Sequence, residues 1–166
     1  MGVTSIDTFG CFGKLPVSRE FLVEGSRVLS ESRFDRWIGE GIGLSKARLG
    51  PRYDEKVTTF AACRFLWSGG TGTTLLAGEL EPSEDGAGRR HPMSAFACVD
   101  HRQAADGGSL KPLIFEAACA VASDLVTKAR ATETPVDALN IVRSGRAASS
   151  ITFRASTASA ARTPCL

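Results

Sequence analysis

The chain has 166 residues, with 20 Lys and Arg against 18 Asp and Glu, and its formal net charge is +2. At about 100–200 residues per domain, this length predicts a single domain. The 43% hydrophobic and 23% charged residues are typical of a globular protein with a buried core. The small positive excess lacks a clustered basic face and argues against nucleic-acid binding. We also expect no membrane partner and a cytoplasmic location, because the sequence shows neither a long apolar run nor a secretory signal.

The first predicted elements are a strand and two helices. Residues 3–12 mix β-branched and aromatic residues, which predicts a strand. Ser18 is the predicted cap of a first helix, whose apolar face carries Phe21, Leu22, Gly25, Val28 and Leu29. A stronger helix is predicted over Ser32–Leu49, where an apolar stripe ends at Gly50-Pro51.

Three β-favouring runs follow, at Thr58–Trp67, Thr73–Leu80 and Met93–Val99. The first is apolar on both faces, which predicts a mostly buried strand. The connections between the runs are short, and a parallel return needs a crossover of about a dozen residues or more. The three runs are therefore predicted to be antiparallel neighbours.

The last third of the chain predicts two helices and a tail. The first helix has Ser109 as its cap and Pro112 in its first turn, and the second begins at Thr134-Pro135 and ends near Gly145. Residues 146–166 are rich in Ala, Ser and Arg, and we expect them to be disordered. The predicted organisation is a domain over residues 1–145 followed by this tail.

The five cysteines are spaced too widely for a CxxC motif, so no metal site is predicted, and we expect reduced thiols in a cytosolic protein. Two alternative hypotheses about the function remain open. One is a small hydrolase or transferase that uses Cys63 or Cys98 with His91 as its base. The other is a purely structural, longin-like scaffold domain that assembles with itself.

Two glycine-rich segments do not have the spacing of nucleotide-binding motifs. The segment Gly10–Pro16 resembles a phosphate-binding loop, but Thr8 takes the place of its outer glycine and Leu15 follows Lys14 where Ser or Thr is needed. The segment Ser68–Thr74 is predicted to be a hairpin turn. No cofactor is therefore expected.

A third segment, Pro82–Pro92, is a dense polar loop between two apolar strands. Its Arg89 and Arg90 can pair with Asp85 or Glu84, or they can donate to a carboxylate or phosphate of a partner. No catalytic constellation accompanies these segments, so a binding or regulatory module is favoured over an enzyme.

Taken together, these motifs resemble the TagF (ImpM) family of type VI secretion-associated proteins. The resemblance runs from about Gly10 to Val99 and weakens beyond about residue 105. One departure lies at Arg19-Glu20-Phe21, where the family commonly has Gly-Asp-Phe. The matching residues are Gly13-Lys14-Leu15-Pro16, Phe21, Phe34-Asp35-Arg36-Trp37-Ile38, Gly41, Arg64-Phe65, Gly78, and Pro82-Ser83, Asp85, Gly88-Arg89 and Pro92.

The resemblance implies both a fold and a function. The fold is α/β, a three-layer sandwich with a mainly antiparallel, mixed sheet flanked by helices, for which a longin-like arrangement is one form. The function is that of a cytoplasmic, non-enzymatic regulatory adaptor that represses type VI secretion post-translationally by contacting a forkhead-associated scaffold protein. Some family members carry a fused PP2C-type phosphatase, which this chain is too short to include. The predicted motif or partner-binding residues are Gly13, Lys14, Leu15, Pro16, Trp37, Pro82, Ser83, Asp85, Gly88, Arg89 and Pro92.

Overall fold

The structure is a computed structural model that describes residues 3–6, 8–69, 74–100, 111–148 and 151–154. Its strands are β1 (Val3–Ile6), β2 (Thr8–Gly13), β3 (Leu22–Glu24), β4 (Cys63–Trp67), β5 (Thr74–Glu81), β6 (Met93–Asp100) and β7 (Ile151–Arg154). Its helices are α1 (Ser26–Ser32), α2 (Phe34–Leu49), α3 (Tyr53–Thr59), α4 (Lys111–Arg130) and α5 (Pro135–Ala148), with a 3₁₀ turn at Gly50–Arg52.

Five of the strands form one antiparallel sheet in the order β3-β2-β6-β5-β4. The central strand β6 pairs with β2 and β5, and Gly78 on β5 lies opposite Phe96 on β6. A Cβ at Gly78 would lie 2.1 Å from the Ala95 carbonyl oxygen, so only glycine fits at this crossing. The predicted antiparallel neighbours are confirmed.

Helices cover both faces of the sheet. Alternate residues of β6 point to opposite faces, as in any strand. Ala95 and Ala97 belong to the core beneath α4 and α5, where small side chains on both sides allow close approach. Phe96 belongs to a second core, with Leu29 and Phe34 of the helices α1 and α2. The α/β three-layer sandwich is therefore confirmed.

The helix predicted from Ser18 is wrong at its start. Leu22–Glu24 instead pair with β2 as strand β3, and α1 begins only at Ser26. The apolar spacing is ambiguous here, because Leu22 is also buried on a pleated strand. Gly25, with a φ of +82°, separates the strand from the helix in a left-handed conformation that favours glycine.

The strand predicted over Thr58–Trp67 is wrong in its first half and in its burial. Thr58 and Thr59 end α3, a helix that the sequence patterns did not predict. The strand β4 begins at Cys63 and lies at the edge of the sheet, with Cys63 and Leu66 exposed. An apolar run does not reveal whether its strand has a neighbour on both sides.

The strong amphipathic helices are confirmed as α2, α4 and α5. At the start of α5, the Thr134 hydroxyl accepts a hydrogen bond from the Asp137 backbone amide at 3.1 Å, which is the contact expected of a helix cap. The predicted strand over residues 3–12 corresponds to β1 and β2, which belong to different sheets, and Asp7 lies outside the described residues. Ser109 and part of the predicted turn after Trp67 lie outside the described residues.

Part of the tail predicted to be disordered is instead a strand. The helix α5 extends to Ala148, and Ile151–Arg154 form β7, which pairs antiparallel with β1. Its partner strand lies at the other end of the chain, so the local sequence pattern did not reveal the pairing. The remainder of the tail lies outside the described residues.

Candidate functional site

The buried carboxylate of Asp85 joins the two most specific motifs of the sequence. Its Oδ2 accepts hydrogen bonds from Lys14 Nζ and Arg89 Nε, both at 2.7 Å. Its Oδ1 accepts the backbone amides of Ala87 and Arg89 at 2.9 Å each. The Lys14 hydrogen bond is the main cause that holds the pKa of Asp85 well below its usual range. We call Lys14, Asp85 and Arg89 the Asp85 brace.

Hydrogen bonds from the same brace and its loop also hold the segment that follows Pro16 in place. The Arg19 carbonyl oxygen accepts Lys14 Nζ at 3.0 Å and Arg89 Nη2 at 2.8 Å. The Gly86 amide donates to the Ser18 carbonyl oxygen at 2.9 Å. Residues 14–19 and 85–89 are thus held together by side-chain and backbone bonds, although about 70 positions separate them in the chain.

Glycine is required for steric reasons at one position in each of the two motifs. Gly88 has a φ of +74°, a left-handed conformation that favours glycine, and its amide donates a hydrogen bond to the Asp85 carbonyl oxygen at 2.9 Å. A Cβ at Gly13 would lie 2.4 Å from the Pro92 carbonyl oxygen. Gly13 therefore lets the first motif pack directly on the end of the second.

An aromatic cluster lies beside the brace. Phe12 and Phe21 stack at 5.2 Å, and His91 meets both rings edge-on. Lys14 Nζ lies 4.7 Å from the centre of the Phe21 ring. Burial lowers the pKa of His91, and the positive charges of Lys14 and Lys46 act in the same direction. His91 is therefore a neutral packing residue at neutral pH, with its Nδ1 2.6 Å from the Pro92 carbonyl oxygen.

The other charged residues of the loop are also paired. Arg90 forms an ion pair with Glu84 across an isolated β-bridge. The His91 amide donates to the Ser83 carbonyl oxygen at 3.1 Å. Of the two alternatives that the sequence left open, Arg89 and Arg90 thus have carboxylate partners within the loop, and their contact with a protein partner stays a prediction.

Trp37 lies on α2, away from these hydrogen bonds. The residue is 46% exposed, and its ring stacks on Phe34 with the ring centres 5.9 Å apart and lies tilted against Trp67 with the centres 5.0 Å apart. It also forms one wall of an open groove of about 330 Å³. We call this the α2–α3 groove; its lining is mainly apolar and includes Trp37, Ile42, Tyr53, Val57, Phe60, Leu80 and Pro92.

The structure therefore brings most of the predicted site residues to one place. Gly13, Lys14, Pro16 and the loop residues from Pro82 to Pro92 lie around the Asp85 brace, whereas Leu15 is fully buried in the core. Two groups, one at the Asp85 brace and one in the α2–α3 groove, were not predicted from the sequence. The Arg19 carbonyl is a backbone group, which no residue pattern reveals, and Tyr53 lies on the helix that was not predicted.

The pKa values of the Cys11, Cys63 and Cys119 thiols are raised rather than lowered. Burial, reinforced by Glu79, raises the pKa of the exposed Cys63 thiol, which is opposite to the shift that activates a catalytic cysteine. Burial also raises the pKa of Cys119 to about 11 and that of Cys11 to about 12. The described residues contain no cluster of three or more His, Cys, Asp or Glu side chains placed to hold a metal ion. None of the described helices is long and apolar enough to cross a membrane.

Comparison with known proteins shows similarity at the level of family and fold. The family described as TagF N-terminal domain, Type VI secretion system-associated, matches residues 10–142, well beyond the point where the motifs lose their likeness. No curated protein matches the sequence. The crystal structure of PA0076 from Pseudomonas aeruginosa PAO1 is similar, with a TM-score of 0.58 and 24% identity. The likeness covers 80% of this chain and 59% of the PA0076 chain, so the chain spans about three fifths of that protein, and it shows a shared fold.

Proposed function

Because the chain belongs to the type VI secretion-associated TagF N-terminal domain family, we propose that it is a cytoplasmic regulatory adaptor of a bacterial type VI secretion system. In this proposal it represses secretion post-translationally by protein–protein contact, without catalysis. The family match over residues 10–142 is the observation that carries the proposal.

The exposed surface around the Asp85 brace supports a role in protein contact. The Arg89 side chain is 64% exposed even though its Nε binds the buried Asp85 carboxylate. Phe21 is 44% exposed beside it. Arginine and aromatic side chains are enriched at protein interfaces, and loops held on a rigid scaffold commonly carry binding function.

We propose a forkhead-associated scaffold protein of the secretion apparatus as the partner, as the family resemblance implies. Pull-down of this scaffold by the purified chain tests the contact directly. The variant Arg89→Ala should weaken the pull-down or lower the melting temperature followed by circular dichroism. If neither changes, Arg89 has no part in the contact or in the loop.

The regulatory role is tested in the host. Deleting the gene should raise secretion of the tube protein, and overexpression should lower it, with tube-protein abundance in the cells as the control for synthesis. Secretion that changes in neither direction would refute the repressor role.

A further inference from the structure

The α2–α3 groove is an open, mainly apolar surface that the contacts described so far leave without an occupant. Its volume of about 330 Å³ falls in the size range of ligand-binding clefts. Trp37, which is 46% exposed, lines it together with Tyr53 and Val57. Such a surface offers burial to apolar groups of another molecule.

Tyr53 provides an independent sign of a ligand. The residue is only 5% exposed, and its hydroxyl is the one buried side-chain polar atom of the described residues that has no hydrogen-bond partner. Burial raises the pKa of Tyr53, with Asp54 acting in the same direction, so the hydroxyl stays protonated and can donate. A buried donor without a partner costs free energy, which an incoming oxygen acceptor would recover.

The charges at the groove favour an acidic ligand. Lys46 lies next to the lining rather than in it: its Nζ is 5.2 Å from the centre of the Tyr53 ring, and it pairs with no carboxylate among the described residues. Lys56 lines the groove and lies 3.3 Å from Glu55. The lining contains no aspartate or glutamate. An acceptor that reaches Tyr53 beside Lys46 is therefore most favourable when it is a carboxylate.

The surface continues past Trp37, which favours a polypeptide over a small molecule. Trp37 also lines a second cleft of about 310 Å³, together with Trp67, Arg33, Arg36 and Glu40. Arg36 forms an ion pair with Glu40, whereas Arg33 forms no ion pair within the described residues. Two adjoining clefts with basic side chains are suited to an extended segment. A second copy of this chain would bring like charges together at the contact.

We propose that the α2–α3 groove binds a segment of a partner protein that inserts apolar side chains and carries carboxylates beside them. The proposal rests on the proposed adaptor function, since it names the kind of segment by which a partner is held. Apolar side chains bury against Trp37 and Val57, and a carboxylate lies between Tyr53 and Lys46.

The test uses the full chain and synthetic peptides tiled over the cytoplasmic proteins of the host's own type VI cluster. Peptides of about 15 residues span roughly 50 Å when extended, and their binding is measured by fluorescence anisotropy. Peptides that bind should combine spaced apolar residues with Asp or Glu, and replacing those acids by Lys should abolish binding.

Three variants locate the contact. Tyr53→Phe should weaken binding about fivefold without lowering the melting temperature, because the free protein loses no hydrogen bond. Trp37→Ala should weaken it about 30-fold, as expected for an aromatic anchor. Lys46→Glu should weaken it about tenfold at low salt. The matched controls Leu113→Ala and Lys128→Glu change an exposed apolar side chain and a lysine on α4, and they should leave binding unchanged.

Several results would overturn the proposal. Equal affinity of wild type, Trp37→Ala and Tyr53→Phe would place the contact elsewhere. Binding of decanoate without binding of any peptide would indicate a small amphiphile, and dimers in light scattering that Trp37→Ala dissociates would indicate a second copy. If deletion derepresses secretion while these variants bind normally, the groove proposal is refuted and the adaptor function stands. The adaptor function fails alone if peptides bind as predicted while deletion leaves secretion unchanged.

Discussion

Replacing Lys14 by methionine removes the charge that meets Asp85 and keeps most of the side-chain volume. The Lys14 side chain is 9% exposed and that of Asp85 is 0% exposed. Breaking a buried ion pair costs about 3–5 kcal/mol, since the remaining charge is left without its partner. Asp85 keeps Arg89 Nε and two backbone amides. We therefore expect Lys14→Met to lower the free energy of unfolding by about 3 kcal/mol, at the lower end of that range.

The matched control is Lys128→Met on α4. Lys128 Nζ lies 2.6 Å from Asp124 Oδ2, which is as close as the buried contact, but both side chains are more than half exposed. Exposed pairs of this spacing contribute about 0.5 kcal/mol or less. Urea denaturation followed by circular dichroism measures both variants. If Lys14→Met costs no more than Lys128→Met, the reasoning that burial makes this ion pair structural is refuted.

The acid dependence of Lys14→Met gives a second check on the same pair. The pKa of Asp85 is lower in the folded protein than in the unfolded chain, where it is about 3.9. Its contribution to stability is therefore present above about pH 4 and is lost as the pH falls further. The difference between wild type and Lys14→Met should accordingly shrink as the pH falls below about 4. A constant difference would mean that the destabilisation comes from something other than the Asp85 charge.

Two further predictions concern packing and thiol chemistry. Gly78→Ala should destabilise by about 3 kcal/mol, because its Cβ meets the Ala95 backbone, whereas Gly43→Ala on the open face of α2 should stabilise by about 0.5–1 kcal/mol; chemical denaturation measures both, and equal effects would contradict the crossing described. In the folded protein, iodoacetamide should alkylate Cys63 more slowly than a free thiol of ordinary pKa and should leave Cys119 unmodified until denaturant is added. A hyper-reactive Cys63 in peptide mapping would instead support the hydrolase alternative.

The secondary structure could be predicted where a segment carries a long, unambiguous pattern. Ser32–Leu49 and the run from Thr134-Pro135 have an apolar stripe with start or stop signals, and they form α2 and α5. The prediction failed where one short pattern fits two structures, as for Leu22 on β3. It failed again at Cys63, because a strand's place at the edge of a sheet depends on pairing partners that are distant in the chain.

The candidate site divides in the same way. The residue types of Gly-Lys-Leu-Pro and of the Pro82–Pro92 loop mark both segments as special, and the intraloop pairing of Arg89 with Asp85 could be predicted from charge and spacing. The contact of Lys14 with Asp85 could not, because nothing local records which distant carboxylate a lysine meets. The unpaired hydroxyl of Tyr53 is also invisible in the sequence, since it depends on what surrounds the atom in three dimensions.

The sequence by itself determined a small globular domain of helices and antiparallel strands, with two unusual motifs that resemble one secretion-associated family. The helices and strands follow from local periodicity and short-range turn chemistry, which act between neighbouring residues, whereas the resemblance rests on the residues of the two motifs themselves. Only the tertiary structure decided that the two motifs close on one buried carboxylate and that α2 and α3 leave an apolar groove beside Trp37. Both depend on contacts between residues far apart in the chain, whose geometry is set when the helices pack on the sheet.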